Sequence, residues 1–155
     1  MTFKRPSLYL ISVVLFMLVF PIVSILLQWG SLLSGWSLIG RWFVFWAVGV
    51  RLFIAGARQV MKPAFTAREI FHLNGEESFI VIKELGFANL SIGLAGILSL
   101  FNAEWTKLAA IAGGLFFGLA GLLHVIKKPA STNEVIAMVS DLFIFLLLVL
   151  YLIFS

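Results

Sequence analysis

Five long apolar runs, separated by short polar or glycine-rich segments, divide the chain. They cover about 8–27, 38–60, 79–101, 107–126 and 134–154. Each is about 20 residues, enough for a helix to cross a hydrocarbon layer of about 30 Å. Residues 29–37 are rich in Gly and Ser and read as a turn. Residues 61–78 form the longest polar segment. There Pro63 breaks the preceding helix, Thr66-Ala-Arg-Glu69 matches a capping box, and Asn74-Gly75 supplies a stop. A short interfacial helix over about 67–73 is predicted, with Phe65, Ile70, Phe71 and Leu73 toward lipid. Residues 102–106 read as a tight turn, and Ser131-Thr-Asn-Glu134 is a second capping box opening the last run. Pro21 is expected to kink the first run. That run follows Lys4 and Arg5, but it is too long for a signal peptide and lacks a small-x-small cleavage site, so it reads as a retained span.

The third run carries polar and small residues on two helical faces. Glu84, Ala88, Ser91 and Ala95 lie on one side, and Gly86, Asn89, Gly93 and Gly96 nearly opposite. Small residues let helices approach closely, so this helix is expected at the centre of the bundle, packed on both sides. In the fourth run, Gly114 and Gly118 form a GxxxG step, a helix-contact signature that could serve a neighbouring helix or a second copy of the chain.

Composition removes most alternatives. The chain is 62% apolar and 12% charged, against about 45–50% and about 25% in soluble domains. A chain of 155 residues has no interior large enough to hide that excess, so lipid is its solvent. The expected fold is an all-α integral membrane helical bundle in a single transmembrane domain. With no cysteine, disulfides, thiolate metal sites and Cys nucleophiles are excluded. The net charge of +4 is spread over helix ends instead of forming a patch, which speaks for topology determinants and against nucleic acid. Lys4, Arg5, Arg58, Lys62, Arg68, Lys127 and Lys128 fall on one side, Arg41 and Lys107 on the other. The positive-inside rule then puts the N-terminus in the cytoplasm and the C-terminus outside, across a cell membrane. Trp29, Trp36, Trp42, Trp46 and Trp105 fall at or near the outer interface, where indoles anchor.

Four runs bring polar groups to a similar depth. Counted from the nearest span end, Arg51, Glu84 and Asp141 lie about 10 Å in and His124 about 5 Å in. With Asn89 they form a candidate polar cluster. Intramembrane charges normally face the bundle interior and pair, because an isolated one costs about 2.5–3.5 kcal/mol even on gentle scales. The cluster could be structural, with Arg51 neutralising Glu84 or Asp141 and His124 bonded to a carboxylate. It could also be a site. Glu69, His72, Glu84, His124 and Asp141 are suitable ligand types for iron, manganese or zinc, and Glu69-x-x-His72 is half of a di-iron bundle motif. The second half is missing, since Gly121 stands three residues before His124. A proton, ion or small-solute pathway, or a quinone between helices, would use the same groups. No Gly-x-Ser-x-Gly setting marks a hydrolase, and the fourth-run glycines do not follow a strand as a phosphate loop requires.

At Lys83-Glu84-Leu-Gly-Phe-Ala-Asn-Leu-Ser-Ile-Gly-Leu-Ala-Gly96, and again at Asn133-Glu134-Val-Ile-Ala-Met-Val-Ser-Asp141, the chain resembles a functionally uncharacterised family of small bacterial membrane proteins. More distantly, Glu-Leu-Gly before a Gly-rich span is similar to DoxX-like four-helix membrane proteins, which implies an association with quinone-linked redox complexes. The first resemblance implies no activity or cofactor. The expectation from the residues is a non-enzymatic structural or accessory component of a membrane complex. The alternatives are a redox- or metal-linked subunit and a small transporter.

Overall fold

A computed structural model describes residues 8–30 and 35–155. Lys4, Arg5 and much of the 29–37 turn lie outside the described residues. The described residues form helices and no strands. Five helices are long and apolar enough to cross a membrane: α1 (Leu8–Leu27), α2 (Gly35–Met61), α4 (Ser78–Leu98), α5 (Glu104–Lys127) and α6 (Thr132–Phe154). A short helix, α3 (residues 63–70), lies between α2 and α4. The protein is an all-α membrane bundle.

Local chemistry sets the ends of these helices. Asn102 Oδ1 accepts the Glu104 amide at 3.1 Å and starts α5, three residues before the expected 107. At α6, Ser131 Oγ accepts the Glu134 amide at 3.3 Å, while the Glu134 carboxylate accepts the Ala130 amide at 2.5 Å. This is the expected capping box with its reciprocal bond shifted one residue outward. The Thr66–Glu69 box does not form. Pro63 instead opens α3, where its fixed φ suits a first helical turn, and Thr66 is buried inside the helix. The helix also stops before Asn74-Gly75. His72 takes φ 55°, a left-handed position normally given to glycine, and the Leu73 amide returns to the Ala67 carbonyl at 2.8 Å, one residue further back than a Schellman closure because the preceding turn is π-helical.

The centre of the bundle is α2. Val44, Ala47 and Val48 are fully buried and Leu52 nearly so. The third span, α4, is packed on one side only, contrary to the expectation of a central helix. Its Gly86, Asn89, Gly93 and Gly96 face is buried, whereas Glu84, Ala88 and Ser91 are exposed. The reason is visible in two side chains. Ser91 Oγ donates to its own helix's Phe87 carbonyl at 2.9 Å, so it needs no neighbour. Glu84 lies six residues past Ser78, and its stem can carry the carboxylate toward the surface. The glycines, by contrast, bring backbones together. A Cβ added at Gly93 would sit 2.5 Å from the Phe53 amide nitrogen, and one at Gly96 would sit 2.6 Å from that of Gly49.

Gly114 and Gly118 are used within the chain. They face Leu148 and the Phe145 ring of α6, and Gly121 faces Leu142. A homo-oligomer through Gly114/Gly118 is therefore not supported, because α6 already covers that step. Two of the tryptophans join α1 to α2: Trp42 Nε1 donates to Gln28 Oε1 at 3.2 Å and Trp46 Nε1 to Ser24 Oγ at 3.0 Å. Trp46 stands eleven residues into α2, about 16 Å from its start, so its indole is an interhelical lock instead of an interface anchor. Pro21 is buried and lies two residues past a π-helical turn, Leu15–Val19, which loosens the backbone where the ring would meet the preceding carbonyls.

Candidate functional site

At the end of the bundle shared by Leu8, Arg58 and His124 lies a cavity of about 230 Å³, walled by all five spans and α3. Three π-helical turns border it. Leu15–Val19 carries Phe16, Thr66–Ile70 carries both its named end residues, and Val44–Val50 immediately precedes Arg51. In the last, the Arg51 amide bonds back to the Trp46 carbonyl, five residues away. The extra residue rotates everything beyond it by about 100° relative to a plain α-helix. That rotation sets the face on which Arg51, Ala55, Arg58 and Gln59 line the cavity.

Of the predicted cluster, Arg51, Asn89, His124 and Asp141 all reach this cavity, and Glu84 does not. The side chains meet around the space without joining in ion pairs. Among the described residues the one acid–base contact within 4 Å is His72 Nε2 to Glu134 Oε1, at 3.2 Å. Arg51 is the charge that acts on the buried Asp141 carboxyl, and it lies against the Tyr9 hydroxyl. Its guanidinium stands 6.0 Å from the Phe117 ring, while that of Arg58 sits 3.9 Å from the Phe65 ring. At the deep end Asn89 Nδ2 donates to Gln59 Oε1 at 2.8 Å. Asn89 is 2% exposed, and its Oδ1 is buried with no partner. A bare amide carbonyl in a bundle interior costs about 1–3 kcal/mol, so this cavity favours an occupant with an O–H or N–H to give.

The proposed metal ligands are dispersed. Glu69 is exposed, His72 turns to Glu134, Glu84 faces outward, and only His124 and Asp141 share the cavity. Among the described residues no three His, Asp or Glu side chains come together to hold a metal ion. His124 also borders a second, smaller cavity of about 50 Å³ with Lys127 and Glu134, nearer the end of the bundle. Tyr9 and Gln59 were not anticipated from the sequence. Gln59 could have been, because it lies eight residues after Arg51 and so within about 80° of it on one helix. Tyr9 could not, since nothing in its apolar surroundings tells which way it faces.

The family model for the family of unknown function DUF6790 matches residues 7–155, and the chain belongs to that family. No curated protein and no solved structure matches it. Membership assigns no activity.

Proposed function

We propose that this member of the family is a non-enzymatic multi-pass membrane protein that holds a small amphipathic molecule in the cavity between Arg51, Asn89 and Asp141, as an accessory component of a larger membrane complex. The observation that carries the proposal is that the intramembrane polar groups surround a space instead of neutralising one another. A purely structural network would close Arg51 onto Asp141, because each unpaired charge in a membrane interior costs about 2.5–3.5 kcal/mol. The occupant needs an acceptor for Arg51, a donor for Asn89 Oδ1, and an apolar part for walls such as Phe16 and Phe116. About 230 Å³ suits one ring-sized headgroup, below the usual drug-sized range of about 300–1,000 Å³.

Those aromatic walls also favour a second reading, in which the headgroup is a quinone-type ring and the role is redox-linked. The excess of Lys and Arg at the Arg58 end supports a cytoplasmic position for this cavity, with the N-terminus inside and the C-terminus outside.

The test is protein purified in mild detergent, extracted into organic solvent, and analysed by mass spectrometry and absorption, beside Asp141→Asn. A stoichiometric small molecule in the wild type, depleted in the variant at unchanged yield, is expected. A quinone-like absorption in the extract selects the redox-linked reading. An empty wild-type protein whose variant merely melts lower would return the cluster to a structural role.

A further inference from the structure

The opposite end of the bundle holds a second polar cavity, of about 560 Å³, between α2, the end of α4, the start of α5 and the end of α6. Arg41, Lys107, Glu104, Ser99, Thr106 and Tyr151 are among its polar groups. Their positions along the helices place them at one level. Arg41 is six residues into α2, Lys107 three into α5, Tyr151 three from the end of α6, and Ser99 directly after α4. All lie within about 9 Å of a span end, which is headgroup depth instead of hydrocarbon.

The donors there are under-used. Arg41 Nε is buried and has no partner, and its guanidinium stands 5.9 Å from the Trp42 ring, too far to satisfy that N–H. Lys107 Nζ donates to the main-chain oxygen of Ser155 at 3.1 Å, leaving two of its three protons available. The hydroxyl proton of Ser99 goes to the Gly96 carbonyl at 2.7 Å, so its oxygen is left to accept. Arg41 and Lys107 are two cationic side chains against one acidic side chain, Glu104. A guanidinium with an unspent N–H, lining one cavity with a second cation, is the arrangement that takes phosphate oxygens. A phosphodiester that carries acyl chains fits this place better than free phosphate, because the cations stand at headgroup depth beside apolar surface. Leu100 and Ala103 share the wall, and Phe101 beside them is 82% exposed, offering apolar surface to acyl chains.

We propose that this cavity binds the phosphodiester headgroup of a membrane phospholipid, with Arg41 and Lys107 as its phosphate contacts. The site is independent of the cavity at the Arg58 end and of any ligand there.

Native mass spectrometry in detergent tests it by titrating dioleoyl-phosphatidylglycerol, dioleoylglycerol and inorganic phosphate against wild type, Arg41→Gln, Lys107→Gln and Glu104→Gln. One saturable phosphatidylglycerol adduct is expected on the wild type, weakened about ten-fold by Arg41→Gln. Dioleoylglycerol, which has the chains without the phosphate, should bind weakly to all four. Glu104 is exposed, so Glu104→Gln folds whatever becomes of Arg41→Gln, and it should bind phosphatidylglycerol several-fold more tightly at low salt. Equal phosphatidylglycerol binding by wild type, Arg41→Gln and Lys107→Gln overturns the site. Displacement of the lipid by millimolar inorganic phosphate overturns its assignment to a lipid. Indifference to Glu104→Gln removes the charge argument.

Discussion

Gly93→Ala is the sharpest test of how α2 and α4 are joined. The new Cβ would lie 2.5 Å from the Phe53 amide nitrogen, and 2.9 Å from both the Gly49 carbonyl oxygen and the Phe53 Cα. Ordinary van der Waals contact begins at 3.4 Å, so the nearest approach is short by about 0.9 Å (3.4 less 2.5). Every one of these atoms is backbone, and none can rotate away. The helices must separate, and one turn along the interface the Asn89–Gln59 bond of 2.8 Å would stretch with them. Overpacking costs about 1–3 kcal/mol, and loss of the buried amide pair adds about 1 kcal/mol. Gly114→Ala is the matched control, because its Cβ would meet Leu148 no closer than 3.7 Å, and it gains helix propensity of up to about 1 kcal/mol. Thermal unfolding in detergent, followed by tryptophan fluorescence, should place Gly93→Ala about 4–16 °C below wild type and Gly114→Ala level with it or above. If Gly93→Ala melts with the wild type, or if Gly114→Ala is the worse of the two, the backbone-contact account of this interface is refuted.

Removing one member of the buried amide pair, Gln59→Met, should cost about 1–3 kcal/mol by leaving Asn89 without any partner, and adding Asn89→Leu should recover most of it in the same melt. The pair of melting curves fails to support the assignment if the double variant is the less stable. His72 bonds Glu134 at a half-exposed site, so His72→Ala should change global stability by less than about 1 kcal/mol while hydrogen exchange over residues 63–73 rises severalfold. Unchanged exchange would show that α3 is held by other contacts. Trp46→Phe loses the bond to Ser24 and should cost about 0.6 kcal/mol, within the range measured for interhelical hydrogen bonds in membranes. A reporter active only in the cytoplasm, fused after Ser155, should be silent; strong activity would reverse the proposed orientation.

Much of the architecture was legible without coordinates, and the candidate site was legible in part. A run of about 20 apolar residues has few solutions in water or lipid, so helix number and type follow from the one-dimensional pattern. The capping chemistry at Ser131 and the turn at Asn102 were readable for the same reason, being local. Local rules failed where two signals competed within one segment: Pro63 and the Thr66 box both offered a start for α3, and Pro63 prevailed. The depth argument brought Arg51, His124 and Asp141 to one place because depth depends only on distance along a helix. It could not say which way each side chain points around its helix. Glu84 has the right depth and the wrong azimuth.

What the sequence determined by itself is therefore the solvent, the helices and the level of each polar group, all consequences of composition, period and rise per residue. The tertiary structure alone decided azimuth and partnership. Three π-helical turns shift the rotational register of α1, α2 and α3, and no α-periodic pattern anticipates them. Contact between Gly49, Gly93 and Gly96 backbones makes α2 the centre and leaves α4 at the edge, though both helices carry small residues. The same packing holds Arg51 and Asp141 apart around a space. Whether two charges pair or face a cavity depends on a few ångströms between helices, and that separation arises only once every neighbour is in place.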